Sequence, residues 1–296
     1  MKICILSWWT WLEREVALKS AATFKSNISN YDYFVLPEEI DAFLVWYKTY
    51  DIVIPVFHWE YWEDWMIFWL LESLWIRHCF SHFKTHAICM DKRFSNSIAE
   101  KDGILVPKGK LINFMDELGV MPFDFPMIVK PNSWWSSFST HKVKTKIELE
   151  AAVKDVFDKT KDSALVQQFI SWTEYSVPII WNDELEVLPI MKVALDKSEF
   201  FDFEEKYNSS WSNEIFESLE PSLQQTLEMQ SKKIYKLFGC KWIARIDYIV
   251  NSEWCYFLEV NTIPWFTQSS IFPKSWNLTW RSLKELISKI ISLGFT

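Results

Sequence analysis

Ala244-Arg245-Ile246-Asp247-Tyr248-Ile249-Val250 is followed closely by Leu258-Glu259-Val260-Asn261-Thr262-Ile263-Pro264-Trp265. The first run is apolar with polar interruptions at period two, which predicts a strand; the second predicts its partner. Side chains alternate across a strand, so Glu259 and Asn261 share one face, as do Arg245 and Asp247. A hairpin would bring the two pairs alongside each other. Two carboxylates and an amide oxygen are donors of the kind Mg²⁺ takes together with phosphate oxygens. An isolated E-x-N pair is ordinarily an exposed strand, and an isolated arginine a structural ion pair. Here R-I-D precedes the pair and N-T-x-P follows it.

Trp265 ends the stretch where the turn calls for a small residue. The same substitution recurs in Ser7-Trp8-Trp9-Thr10-Trp11, in His58-Trp59-Glu60-Tyr61-Trp62-Glu63-Asp64-Trp65 and in Lys130-Pro131-Asn132-Ser133-Trp134-Trp135-Ser136-Ser137. The chain of 296 residues has 19 Trp and only 5 Gly; with every Trp counted as Gly, glycine would reach about 8%, near the usual roughly 7%. Trp8 to Trp11 directly follow the apolar run Ile3 to Leu6, where a strand-to-helix turn needs small residues for close backbone approach. A Trp-rich core or a sugar-stacking surface is the alternative reading of the composition, but neither has reason to select such turns. UGA codons that mean glycine in some bacterial lineages and tryptophan in others would produce this pattern.

With glycine restored, these segments resemble the D-alanine–D-alanine ligase family of ATP-grasp enzymes. The family patterns GGT-x-x-EREVSL, HGxxGEDG, a KP-x-x-x-GSS loop and E-x-NT-x-PG-x-T occur in order, from Met1 nearly to Thr296. The resemblance implies an α/β (α+β) class and a three-domain ATP-grasp fold. Its parts would be a Rossmann-like N-terminal substrate domain over 1–90, a central subdomain over 91–178 and a catalytic domain over 179–296. It further implies ATP-dependent joining of two D-alanines for peptidoglycan precursor synthesis, in a cytoplasmic homodimer.

Residue by residue, the resemblance gives Glu13 as the acid holding the first D-alanine's ammonium, with Ser136 and Tyr207 bonded to it across the closed site. Arg245 would stabilise negative charge in the transition state, helped by the backbone N–H at Trp265, and Ser270 would receive the second D-alanine's carboxylate. Lys92, Lys130 and Lys206 match the lysines on the ATP phosphates, Glu174 the ribose-binding acid, and 133–137 the loop that covers the phosphates. Asp247, Glu259 and Asn261 would hold two Mg²⁺ or Mn²⁺ ions. Gln167 is a departure: many relatives carry there an acid that accepts from the adenine amino group, which an amide oxygen can do only without charge. Phe68 and Arg77, where relatives often have Gln and Pro, are two more, and His58 is a neighbour of the first substrate. Two competitors share most of these residues. One is a sibling ligase using D-lactate or D-serine, against which the Lys206-Tyr207 pair speaks. The other is a non-enzymatic binding protein, favoured if the tryptophans are real, since Trp134-Trp135 would fill the phosphate space. The chain as written is expected to keep its fold while crowding Trp9, Trp59, Trp135 and Trp265 about the ligands.

Composition bounds the remainder. At 49% hydrophobic the chain can bury more than one core. A net charge of -8 without a basic run argues against a nucleic-acid surface. Five scattered cysteines (4, 79, 89, 240, 255) without C-x-x-C spacing fit a reducing compartment. Four apolar residues before Ser7 are too few for a signal-peptide core, and Glu72 interrupts the most apolar helix-like stretch, so a soluble, unexported protein without membrane association is expected. Strands are expected at 2–6, 51–57, 127–130, 164–168, 185–195 and 244–250. Helices are expected at 13–24, 65–74, 147–157, 222–237 and 281–293, with 196–218 as a long functional loop.

Overall fold

The computed structural model describes residues 1–8, 14–56, 65–134, 138–171, 173–181, 183–194 and 213–296. Its first sheet is parallel and three-stranded, in the order β2-β1-β3, with β1 at Ile3–Trp8, β2 at Tyr31–Leu36 and β3 at Ile52–Val56. β3 reads Ile-Val-Ile-Pro-Val and is buried throughout, as a strand inside a parallel sheet should be. The helices that follow in this unit are α1 (Arg14–Asn27), α2 (Ile40–Trp46) and α3 (Met66–Ser73). The core of this sheet also recruits the far end of the chain: Leu6, Phe24 and Ile54 belong to one apolar cluster with Phe266, Phe272, Leu286 and Ile290.

A second sheet, antiparallel in the order β4-β7-β5-β6, is formed by Gly109–Ile112 (β4), Met127–Pro131 (β5), His141–Val143 (β6) and Ala164–Gln168 (β7). One face packs on α6 (Lys146–Thr160), joining Met127, Val129, Ala164 and Val166 to Leu149, Val153 and Val156. Alternation then sends Ile128, Lys130, Leu165 and Gln167 to the other face. Between the two units lie α4 (Phe83–Met90) and α5 (Lys92–Lys101).

The third sheet runs β11-β10-β8-β12-β13, with β9 paired to β8. Its strands are Thr173–Trp181 (β8), Leu185–Val187 (β9), Met191–Ala194 (β10), Asn213–Phe216 (β11), Ile243–Val250 (β12) and Cys255–Asn261 (β13). Tyr175, Val177, Ile246, Tyr248, Phe257 and Val260 share an apolar core with Leu227, Ile234 and Tyr235 of α7 (Pro221–Leu237) and with Ala99 of α5. Glu174, Ser176, Arg245 and Asp247 therefore point to the opposite face. Two short helices, α8 (Ile271–Asn277) and α9 (Leu283–Leu293), end the chain, α9 entering through a Ser282/Glu285 capping box. The strand expected over 185–195 is two strands, because Pro189 lies between them and has no N–H to give a ladder. The expected loop contains β11; its part from 196 to 212 lies outside the described residues.

Three helix ends close in the same way. After α5, Gly103 (φ 78) donates to the Glu100 carbonyl at 3.0 Å and Ile104 to that of Ala99 at 3.0 Å; after α7, Gly239 (φ 67) donates to Lys236 at 3.1 Å and Cys240 to Tyr235 at 2.9 Å. After α3 the pattern repeats with Trp75 (φ 57) donating to Glu72 at 3.0 Å and Ile76 to Leu71 at 2.8 Å. This is the paired closure in which a left-handed glycine ends a helix. Among the described residues, six non-glycines have left-handed φ, and four of them are Trp65, Trp75, Trp242 and Trp280. Trp9, Trp59 and Trp135 lie outside the described residues, and Trp265 is not among the left-handed ones. Trp276 is of another kind: helical and buried, it donates from Nε1 to the Ser282 carbonyl at 2.9 Å beneath the Arg281 guanidinium.

Candidate active site

The β12–β13 hairpin pairs Arg245 with Asn261 and Asp247 with Glu259, with a bulge immediately after Asp247. Asp247 is only 2% exposed, and donors converge on its carboxylate. Its Oδ1 accepts from Ser176 Oγ at 2.6 Å and Arg245 Nε at 3.0 Å; its Oδ2 accepts from Arg245 Nη2 at 2.9 Å and Asn261 Nδ2 at 2.7 Å. A buried carboxylate is tolerated only when paired and hydrogen-bonded in this way. With Nδ2 of Asn261 engaged, Oδ1 is the atom of that residue suited to a cation.

Glu259 meets Lys92, whose Nζ stands 3.6 Å from Oε2 and also donates to the Trp134 carbonyl. Lys92 opens α5, and that end of the helix is tied to the second sheet: Asn132 accepts from Lys92 N at 3.1 Å through its carbonyl and from Arg93 N at 2.9 Å through Oδ1. The start of the 133–137 loop is held as well, since Ser133 N donates to Asp162 Oδ2 at 2.5 Å; burial pushes the Asp162 carboxyl above its ordinary range. Lys130 is buried on the face of β5 away from α6, with Gln167 on the same face. Glu174 occupies β8 opposite Ile249, on the Asp247 face of the third sheet.

Arg245, Asp247 and Asn261 thus form one hydrogen-bonded group, and the Glu259–Lys92 pair stands beside it, Glu259 being the strand partner of Asp247. Ser270 immediately precedes α8 and its Oγ bonds to Thr267 Oγ1 at 2.6 Å. Glu13, Ser136, Lys206, Tyr207 and His58 lie outside the described residues.

The turn after β13 is held by contacts that no local pattern announces. Thr262 Oγ1 lies 2.6 Å from His86 Nδ1 of α4, and Phe266 N donates to Ser20 Oγ of α1 at 3.2 Å. Phe68 stacks on the His86 ring at 3.8 Å, which gives that departure a place in the packing, and Arg77 covers the Phe295 ring at 5.3 Å. Burial, reinforced by His78, holds the His86 pKa well below the ordinary histidine value, so the ring is neutral. Ser176 and His86 were missed in the sequence because their partners are 71 and 176 residues away.

Two sheets, one presenting Lys130 and the other an acid–arginine hairpin, with Lys92 on the helix beside them, define an ATP-grasp architecture. A family model described as D-ala D-ala ligase C-terminus matches residues 113–292. The chain is 33% identical over 303 residues to a D-alanine–D-alanine ligase of Clostridium beijerinckii, covering 98% of this chain and 97% of that relative. It superposes on the crystal structure of a D-alanine–D-alanine ligase from Bacillus anthracis complexed with ATP with a TM-score of 0.84 at 26% identity, covering 100% of this chain and 97% of that one. The VanG D-Ala:D-Ser ligase from Enterococcus faecalis also gives 0.84, at 26% identity and 99% coverage of both chains. The chain belongs to the D-alanine–D-alanine ligase family.

Proposed function

We propose that this protein joins two D-alanines at the expense of ATP, forming D-alanyl-D-alanine for peptidoglycan precursors in a cytoplasmic homodimer. The observation that carries the reading is the Arg245–Asp247–Asn261 group with Glu259 and Lys92 beside it, in a chain that matches these ligases along almost its whole length. The carboxylate of the first D-alanine attacks the γ-phosphate and ADP departs. The amino group of the second attacks the resulting acyl phosphate, and phosphate leaves. Lys92, Lys130 and Lys206 hold the triphosphate, and Glu174 takes the ribose. Arg245, oriented by its hydrogen bonds to Asp247, faces the charge that grows at the transferring phosphoryl group. Glu13, Ser136 and Tyr207 hold the first substrate and Ser270 the carboxylate of the second, D-alanine being favoured there by Lys206-Tyr207. Positioning and preorganised charge carry most of the rate.

Asp247, Glu259 and Asn261 form an all-oxygen donor set that fits Mg²⁺ or Mn²⁺. Two such ions would screen charge on the phosphates. The tryptophans at turn positions are, in this reading, glycines of the cellular protein encoded by UGA. Four left-handed tryptophans support it, one of them closing a helix as Gly103 and Gly239 do. Gene sequencing tests it directly: UGA is expected at Trp65, Trp75, Trp242 and Trp280, and UGG there would refute it.

The test of the chemistry uses a glycine-restored chain, with glycine at every Trp except the well-packed Trp276. In that protein, Glu259→Gln is expected to abolish D-alanine-dependent phosphate release at saturating Mg²⁺ while the circular dichroism spectrum is unchanged. Near-normal release would remove Glu259 from the mechanism.

A further inference from the structure

We propose that Gln167 reads the six-position of the purine and lets this site accept a 6-oxopurine triphosphate as well as ATP. The inference rests on the ATP-dependent reading above. Ile128 pairs with Gln167 across β5 and β7, and Lys130 with Leu165, while α6 covers the opposite face. Gln167 therefore shares its face with Lys130, two residue steps along the sheet, about 7 Å. With Lys130 at the phosphates, a nucleotide lying along this face brings its base toward Gln167.

The Gln167 side chain is 3% exposed, and its Nε2 is buried with no hydrogen-bond partner. Its stem passes over Gly109, where a Cβ would stand 3.1 Å from Gln167 Cγ, so a larger residue on β4 would press on it. A buried donor without an acceptor destabilises the free protein, and a bound ligand is one way to satisfy it. An amide carries both roles: Oε1 accepts from a 6-amino group, and Nε2 donates to a 6-oxo group after a half-turn. A carboxylate at this position would accept from the amino group only and would repel the oxo group.

ITP is the probe, because it differs from ATP at the six-position and the adjoining ring nitrogen. In the full-length glycine-restored chain, calorimetric binding with Mg²⁺ and kcat/KM with D-alanine should each place ITP within about tenfold of ATP. Gln167→Glu should move the ATP-to-ITP ratio about a hundredfold toward ATP, and Gln167→Met, with no polar group, should weaken both nucleotides alike. ATP turnover with ITP excluded from the parent protein, or a ratio that Gln167→Glu leaves unmoved, overturns the assignment alone. If neither nucleotide binds, the ligase reading falls with it.

Discussion

At the scale of single residues, the tryptophans separate by backbone conformation. Trp75 and Trp280 are 94% and 98% exposed at φ 57 and 63, so their side chains gain almost no burial from a conformation that glycine adopts without penalty. Trp276 has the opposite balance, with a buried ring and a satisfied indole N–H. Trp75→Gly is accordingly expected to raise stability by about 1 kcal/mol, by relieving left-handed strain. The reverse substitution, Gly103→Trp, meets no atom within 4 Å at Cβ and should cost about the same. Urea midpoints of the two variants measure both; a destabilised Trp75→Gly would mean that the indole contributes more than its conformation costs. The expectation of small residues at turns inside motifs came from the sequence alone. The helix-closing role of Trp75 was not, because it depends on where α3 ends.

At the scale of elements, the hairpin was legible because β12 and β13 adjoin and their period-two pattern names both faces. The Ser176 contact to Asp247 and the His86 contact to Thr262 were not, because they depend on sheet order and on how α4 docks. The division of β9 from β10 could have been read from Pro189. A polar clamp at the foot of the 133–137 loop was also hidden: Asp155 of α6 accepts from Ser139 Oγ, from His141 Nε2 at 2.9 Å and from Lys159 Nζ at 2.8 Å. Burial works against the charged form, but these three partners outweigh it and hold the Asp155 pKa to about 2. In the unfolded chain the value is about 3.9. The folded state therefore binds fewer protons in that window, and the contribution is complete above about pH 4 and lost as pH falls through 2. Asp155→Asn should thus flatten the fall in urea midpoint between pH 4 and 2.5, and parallel profiles for parent and variant would show that the clamp adds nothing.

At the scale of the whole molecule, three apolar cores hold three sheets, and the acid–arginine hairpin lies on the face of the third sheet away from its own core. The last helices, α8 and α9, pack into the core of the first sheet, so the turn after β13 is fixed between an N-terminal helix and the end of the chain. Residues far apart in sequence therefore set the site together, and the family patterns could be read only because each survives around its tryptophans. If the turn tryptophans stand for glycine, the glycine-bearing form of the chain is the working ligase. Two synthetic genes test it most directly, one encoding the chain as written and one encoding glycine at every tryptophan except Trp276, with both proteins assayed for D-alanine-dependent phosphate release from ATP. Release is expected from the glycine-restored protein and little or none from the other. Equal activity of the two, or D-alanine-dependent release only from the chain as written, would contradict it.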